Sequence, residues 1–363
     1  MALVFEIVPY TLNFRFEAKT SRGPLSEHNT WFIKVWDDQN RSLVGYGECA
    51  PFEGLSIDDS PDFEQKMRFA LRKIEGALLP KSLEKIGDYV DFISSGLPSV
   101  RFGLETALRD LYYGGQQKIF DSAFYNDHQT IDINGLVWMG DKDIMLERLE
   151  LKVMAGYDCV KLKIGALHFD EELEILSEAR AMIGNNGLCL RVDANGAYGL
   201  DEVNDVLKSL AKFDIHSIEQ PIKSGQVEAM QKLCANSPVP IALDEELIGI
   251  VGLDEKRALL EDIKPQFIVL KPTLLGGFIA TAEWIDLAEE LNIGWWITSA
   301  LESNIGLNAI CQFTSQYNLS LPQGLGTGDL YDNNIPSPLT INNGCLFWDA
   351  SRHWYLNLTE RQV

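Results

Sequence analysis

The sequence predicts an α/β protein in which a (β/α)8 barrel is joined to a smaller α+β domain. Its length of 363 residues is long for one ordinary domain and suits a large barrel with a companion. From about residue 131 onward, short apolar runs alternate with amphipathic stretches, which is the pattern of repeated βα units. The first hundred or so residues instead combine β-rich runs with helical periodicity.

Residues 1–98 are predicted to form the α+β domain. Two β-rich runs come first, VFEIVPYTLNFRF and NTWFIKVWDD. The segment GYGECAPFEGLS is predicted to be a loop because it is rich in Gly and contains Pro. Apolar residues then recur at helical spacing over residues 62–79 and again over residues 100–113.

Residues 99–328 are predicted to form the barrel, with eight strand-like runs. In chain order these runs are DINGLVWMG, DCVKLKIG, LCLRVDANG, HSIEQP, PIALDEE, QFIVLKP, GWWITSA and LPQGLG. A doubly wound sheet is the alternative, but no GxGxxG follows the first run and eight repeats are many for that fold. Residues 329–363 form a tail whose β-like part is expected to return to the N-terminal domain.

Composition excludes several classes of function. The formal net charge of −22 argues against binding nucleic acid or an anionic membrane, since both need clustered Lys and Arg. No run approaches the roughly 20 apolar residues that span a bilayer, and the start MALVFEIVPY lacks the features of a signal peptide. The six cysteines form no CxxC pair, so no zinc or redox site is expected. The expected location is the cytoplasm.

Charged residues end five successive predicted strands. Catalytic groups of barrel enzymes lie at the carboxyl ends of the strands, so these residues are expected around one mouth. Successive positions lie 25 to 30 residues apart, which is about one βα unit. From the second strand to the sixth, the ends are Lys161 and Lys163, then Asp193, Glu219, Asp244 and Lys271.

Three of these strand ends carry carboxylates: Asp193, Glu219 and Asp244. Three carboxylates do not stay ionised together without a cation. A site of oxygen ligands without His or Cys suits a hard ion, Mg²⁺ or alternatively Mn²⁺. The alternative is that all three are surface acids in loops, which the regular spacing disfavours.

Three lysines complete the pattern. Lys161 and Lys163 alternate with apolar residues, so both are expected to point into the barrel. A neighbouring cation and a second lysine would lower the pKa of such a lysine and make a neutral amine available as a base. Lys271 belongs to the sixth strand, across the barrel from the second. A solvated or structurally ion-paired lysine is the alternative for each.

These motifs together resemble the muconate-lactonising-enzyme subgroup of the enolase superfamily. The resemblance is carried by VKLKIG, RVDANGAY, IEQP, LDEE, VLKPTLLGG and SALESNIG. It implies a modified TIM barrel with an α+β capping domain built from the N-terminal region and the C-terminal tail. It also implies that Asp193, Glu219 and Asp244 bind the metal and that Lys163 and Lys271 act as acid and base. The implied chemistry is removal of the proton α to a carboxylate, with the enediolate stabilised by Mg²⁺.

Two segments indicate which enzymes of this subgroup the chain resembles most. SALESNIGLNAI and LPQGLGTGDLYDNNI resemble the o-succinylbenzoate synthases of menaquinone biosynthesis. Those enzymes dehydrate 2-succinyl-6-hydroxy-2,4-cyclohexadiene-1-carboxylate. N-succinylamino-acid racemases and dipeptide epimerases are the alternative, because they use the same two lysines. Dipeptide epimerases often carry Asp-x-Asp after strand eight, whereas this chain reads QGLGTGDL.

Further residues are expected to contact a small-molecule carboxylate substrate. They are Lys161, Arg191, Asn195, Ser299, Glu302 and Ser303. A structural ion pair is the alternative for Arg191, and helix capping is the alternative for the serines. Two segments, Thr20–Pro24 and Phe52–Leu55, resemble the capping loops that close such sites. The sequence does not determine the oligomeric state, and a homo-oligomer is one possible assembly.

Overall fold

The computed structural model describes residues 2–20, 23–184 and 187–358. The N-terminal part of this range contains β1 (Leu3–Thr20), β2 (Gly23–Asp37), β3 (Asn40–Cys49), α1 (Phe63–Arg72), α2 (Leu83–Val90) and α3 (Pro98–Tyr112). The three strands form an antiparallel sheet in chain order, and the helices pack on one side of it around a shared apolar core. The predicted α+β character is confirmed. The prediction of a loop over GYGECAPFEGLS is wrong for residues 45–49, which belong to β3.

The glycines of β3 explain that error. They serve close packing rather than a turn, because α3 crosses the strand with its backbone almost in contact. A Cβ atom added at Gly47 would stand 1.9 Å from the carbonyl oxygen of Gly103, and one at Gly45 would stand 2.2 Å from that of Ala107. Glycine in a strand marks such an approach as readily as it marks a turn.

We expect Gly47→Ala to lower the free energy of unfolding by about 3 kcal/mol, because the new methyl group meets backbone that cannot rotate away. Urea denaturation followed by circular dichroism measures the change. The control is Gly96→Ala, where the nearest atom to the added Cβ is the Ser94 hydroxyl at 3.6 Å. Equal denaturation midpoints for the two variants would contradict the packing argument.

The barrel strands are short and separated by helices. A short strand, β4 (Ile131–Asp132), comes first, and the strands of the barrel sheet are β5 (Gly135–Val137), β6 (Cys159–Lys163), β7 (Cys189–Asp193), β8 (Ser217–Glu219), β9 (Ile241–Leu243), β10 (Phe267–Leu270) and β11 (Gly294–Ile297). The helices are α4 (Lys142–Met154), α5 (Phe169–Ile183), α6 (Val203–Leu210), α7 (Val227–Asn236), α8 (Leu253–Ile263), α9 (Pro272–Leu275), α10 (Phe278–Glu290) and α11 (Asn304–Thr314). Strands β5 to β11 form one parallel sheet in which every strand pairs with its neighbours in chain order.

Single parallel bridges link the two edges of this sheet. Gln323 bridges to Ile133 just before β5, and Gly324 bridges to Thr298 just after β11. The predicted eighth strand is therefore reduced to these two residues, because Pro322 lacks an N–H to donate and glycine weakens a strand. The predicted α/β class is confirmed: a curled parallel sheet carries the helices outside, and the antiparallel domain precedes it.

The C-terminal tail contacts both parts of the molecule. Tyr331 bridges to Phe14 of β1, so the start of the tail contacts the N-terminal sheet. The strands β12 (Leu339–Asn342) and β13 (Cys345–Trp348) instead form a small antiparallel sheet with β4, beside the barrel. The boundaries 1–98, 99–328 and 329–363 stay a prediction. Among the described helices we find none that combines the length and the apolar character needed to cross a lipid bilayer.

Candidate active site

The register of the parallel strands brings the charged strand ends to one level. Lys163 pairs with Asp193, and Asp193 pairs in turn with Glu219. Asp244 directly follows β9 and Lys271 directly follows β10. Because alternate residues of a strand share a face, Lys161 points to the same side as Lys163, one layer deeper.

Lysines and carboxylates alternate in this cluster. The Lys161 ammonium contacts Glu219 at 2.8 Å and Asp193 at 3.1 Å, while Lys163 contacts Asp193 at 2.8 Å. Lys271 pairs with Asp244. The three carboxylates are at most 2% exposed, so each charge depends on these partners rather than on water.

Burial and charge act differently on the members. Burial lowers the pKa of Lys163, and the neighbouring Lys161 ammonium adds to this effect. Burial opposes the charged form of Lys161 as well, but Asp193 and Glu219 outweigh it and raise its pKa. Burial and the Asp193 charge raise the pKa of Glu219 to about 8. The pKa values of Lys161 and Lys163, two neighbouring lysines on one strand, are thus shifted in opposite directions.

The carboxylates also fit a metal ion by their chemistry. All three are buried at adjacent strand ends and offer only oxygen, which is the donor type that Mg²⁺ and Mn²⁺ prefer. In the part of the chain that the structure describes, no three His, Cys, Asp or Glu side chains are already gathered around one point. In this structure the three carboxylates are instead paired with the lysine ammonium groups.

Asn195 lies beside the cluster on a strained turn. Its side-chain oxygen accepts a hydrogen bond from Lys163 at 2.7 Å, and its amide donates to Glu245 at 3.0 Å. Its backbone has φ 46°, a left-handed conformation that is sparsely populated and concentrates at functional sites. Asn195 therefore fixes the position of the Lys163 amine.

The cavity over the cluster is walled largely by apolar side chains. Phe52 and Leu55 come from the N-terminal domain, so the predicted capping loop Phe52–Leu55 does reach the cavity. Trp138 follows β5 and places its ring 6.0 Å from the Lys163 amine. On the far side, the Ser299 and Thr327 hydroxyls share a hydrogen bond of 2.7 Å. The other predicted capping loop, Thr20–Pro24, includes residues 21 and 22, which lie outside the described residues.

Three residues expected to contact substrate lie behind the cavity wall. Arg191 is 1% exposed, stacks on Trp296 at 3.9 Å and donates to the carbonyl of Pro322 at 2.9 Å. Glu302 accepts hydrogen bonds from the Thr273 hydroxyl and from the Ala300 amide.

Ser303 caps α11, and helix capping was the alternative to substrate contact for this residue. Its hydroxyl also donates a hydrogen bond to Glu48 of β3 at 2.5 Å. The described residues that line the cavity include none of these three. The contact of Arg191, Glu302 and Ser303 with substrate therefore stays a prediction, and none of the three lines the cavity.

Sequence reasoning missed several residues that line or support the site. Trp138 directly follows the first barrel strand, so its position at a strand end was a usable signal. Thr327 and Leu274 line the cavity from loops, where no periodicity indicated it. Glu245 directly follows Asp244 in the LDEE motif, and its contact with Asn195 could not be read from that spacing.

The fold and site define a class of barrel enzyme in which buried charges at successive strand ends face a cavity covered by an N-terminal domain. Comparison with known proteins gives the family. The family described as "Enolase C-terminal domain-like" matches residues 145–349. The chain therefore belongs to the enolase superfamily, whose enzymes generally use a divalent metal.

Two relatives match nearly the whole chain. An o-succinylbenzoate synthase of Desulfotalea psychrophila is 44% identical over 357 residues, covering 92% of this chain and 96% of the relative. The crystal structure of MenC from the same organism superposes with a TM-score of 0.85 at 40% identity, covering 96% of this chain and all of that one. A more distant relative, the N-succinylamino acid racemase of Amycolatopsis, is 29% identical over 83% of this chain and 81% of the relative.

Proposed function

We propose that this lyase of the enolase superfamily dehydrates 2-succinyl-6-hydroxy-2,4-cyclohexadiene-1-carboxylate to o-succinylbenzoate, a step of menaquinone biosynthesis. The observation that carries the proposal is the placement of Lys163 and Lys271. They end β6 and β10, which are separated by three strands, so the two amines approach the cavity from different sides. The likeness over almost the full length to an o-succinylbenzoate synthase supports the choice of substrate.

The proposed reaction uses one lysine for both proton transfers. The Lys163 amine removes the proton α to the ring carboxylate, and the electron pair of that C–H bond forms the new ring double bond. The C–O bond to the hydroxyl breaks, and the Lys163 ammonium returns its proton so that water leaves. Lys271 remains a cation and stabilises the negative charge that develops on the carboxylate.

Asp193, Glu219 and Asp244 would hold the metal, which we propose to be Mg²⁺, with Mn²⁺ as a substitute. When bound, a divalent cation supplies Lewis-acid stabilisation of carboxylate charge. The chain's own lysines supply the proton chemistry, and the apolar wall of Phe52, Leu55 and Trp138 excludes water from it.

A racemase of N-succinylamino acids is the second candidate, because the Amycolatopsis relative carries that name. A dipeptide epimerase fits less well, since its substrate carries an ammonium group. Among the described residues that line the cavity, the acids are Asp193 and Glu219, and both already pair with lysines.

A substrate panel separates the two candidates. We expect the protein to turn over the cyclohexadiene precursor, and the ultraviolet absorbance of the aromatic product measures this rate. Deuterium exchange at the α-carbon of N-succinylamino acids should be slower than this turnover. Both hands of each amino acid are tested in D2O by NMR. Fast exchange of both hands without turnover of the precursor would overturn the synthase and favour the racemase.

The two lysines should also respond differently to substitution. We expect Lys271→Arg to keep part of the dehydration activity, because its positive charge survives, and to abolish exchange of one hand of an N-succinylamino acid, because guanidinium does not release a proton. The loss in dehydration should be smaller than for Lys271→Ala, measured as kcat/KM in both variants. Equal losses would contradict a purely electrostatic role.

A further inference from the structure

Two cysteines face each other at the floor of the barrel. Cys159 opens β6 and Cys189 opens β7, and the two residues are direct partners in the strand register. They point to the same side as Lys163 and Asp193, two layers deeper. Neighbouring strands lie about 4.8 Å apart, which is within the roughly 4.4–6.8 Å between Cα atoms that a disulfide spans. The two cysteines lie 30 positions apart in the chain, so the sequence did not reveal this pairing and led to the expectation of no redox site.

The two thiols have unequal surroundings. Cys159 is fully buried, whereas Cys189 is partly accessible. Arg191 lies two residues further along the strand of Cys189, and its Nε and Nη2 atoms have no hydrogen-bond acceptor among the described residues. A hydrogen bond from Cys159 and the charge of Arg191 lower the pKa of Cys189 to about 7. The accessible thiol is thus also the one beside an uncompensated positive charge, which is the setting of reactive cysteines.

The remaining cysteines differ from this pair. Cys49, Cys234 and Cys311 are buried, and burial raises the pKa of each. Cys345 is also partly accessible, but burial and the neighbouring Asp132 carboxylate raise its pKa. Cys345 therefore provides a matched control whose electrostatic surroundings are of the opposite sign.

We propose that Cys189 is a peroxide-reactive thiol and that Cys159 is the partner that closes a disulfide with it. The Cys189 thiolate attacks one oxygen of hydrogen peroxide, the O–O bond breaks and hydroxide leaves, so the sulfur is oxidised to a sulfenic acid and the peroxide is reduced. The Cys159 sulfur then attacks that of Cys189, the S–O bond breaks, and the proton of Cys159 leaves with the hydroxyl as water. Two thiols and one peroxide thus give one disulfide and two waters.

Hydrogen peroxide is added to the reduced full-length protein, and the products are read by intact mass and by tryptic mapping. Trypsin separates the two cysteines into peptides 153–161 and 181–191. We expect the loss of two hydrogen atoms and a cross-link between these peptides that dithiothreitol removes. Cys345→Ser should cross-link as fast as the unaltered protein. Cys159→Ser should instead accumulate a sulfenic acid on Cys189, which dimedone captures.

Oxidation of Cys345 before Cys189 would overturn the proposal, and so would oxidation of Cys189 to the sulfinic acid without a cross-link in the unaltered protein. Because a serine in the barrel core can impair folding, a second measurement avoids substitution. Iodoacetamide should alkylate Cys189 faster than Cys345 in the native, unaltered chain. The reverse order would also refute the assignment.

Discussion

Lys163→Ala should lower kcat/KM for dehydration by at least the roughly 10²–10⁴-fold that loss of a general base costs. The amine of Lys163 is held between Asp193 at 2.8 Å and Asn195 at 2.7 Å. Alanine also leaves the ammonium of Lys161 in contact with Asp193, at 3.1 Å, so no carboxylate loses its last partner. The decrease in kcat/KM should therefore come from the missing base and not from a change in the fold.

The control for this prediction is Lys208→Ala, which removes a lysine whose side chain is 70% exposed on α6. Both variants should keep the circular dichroism spectrum and the thermal midpoint of the unaltered chain to within a few degrees. If Lys163→Ala kept more than about a tenth of kcat/KM, another group would have to be the base.

Glu219→Gln should weaken the binding of Mg²⁺ by more than the roughly 10–100-fold that losing a supporting group costs, because it removes a charged ligand. Turnover should fall in parallel and should not recover fully at high Mg²⁺. Glutamine has the shape of glutamate, and Lys161 keeps its contact with Asp193, so the fold should survive. Isothermal titration with Mg²⁺, repeated with Mn²⁺, measures the affinity directly.

Glu302→Gln provides the matched control, since Glu302 is equally buried and also lies near a strand end but hydrogen-bonds to Thr273 instead of a lysine. Its affinity for Mg²⁺ should change by no more than a few-fold. Unchanged binding by Glu219→Gln would show that the carboxylate cluster is not the metal site. Removing the metal with a chelator should stop turnover and leave the secondary structure in place, because the barrel core is apolar.

Much of the site could be predicted because it depends on local rules. The alternation of Lys161 and Lys163 with apolar residues determines that both share a face, and this holds whatever surrounds the strand. The carboxyl ends of parallel strands meet at one edge, so residues that follow successive apolar runs converge there. Asp193, Glu219 and Asp244 lie at the same edge for that reason, although their role as metal ligands stays a prediction.

The sequence did not show that Arg191, Glu302 and Ser303 lie outside the cavity lining. Arg191 is in register with Lys161, but its guanidinium stacks on Trp296 and donates to the carbonyl of Pro322 instead of lining the cavity. Glu302 was expected at the mouth because it follows the seventh strand. However, Leu301 adopts φ 66°, and the chain turns so that Glu302 and Ser303 lie behind the cavity wall.

The sequence by itself determined the βα repeat, the α+β character of the first hundred residues and the set of charged strand ends, because each follows from hydrogen-bond periodicity within a short segment. Only the tertiary structure decided that the glycines of β3 serve packing against α3, that Phe52 and Trp138 wall the cavity, and that Cys159 faces Cys189. These contacts join residues far apart in the chain. Their distances are set by how whole elements pack against one another, which no local spacing encodes.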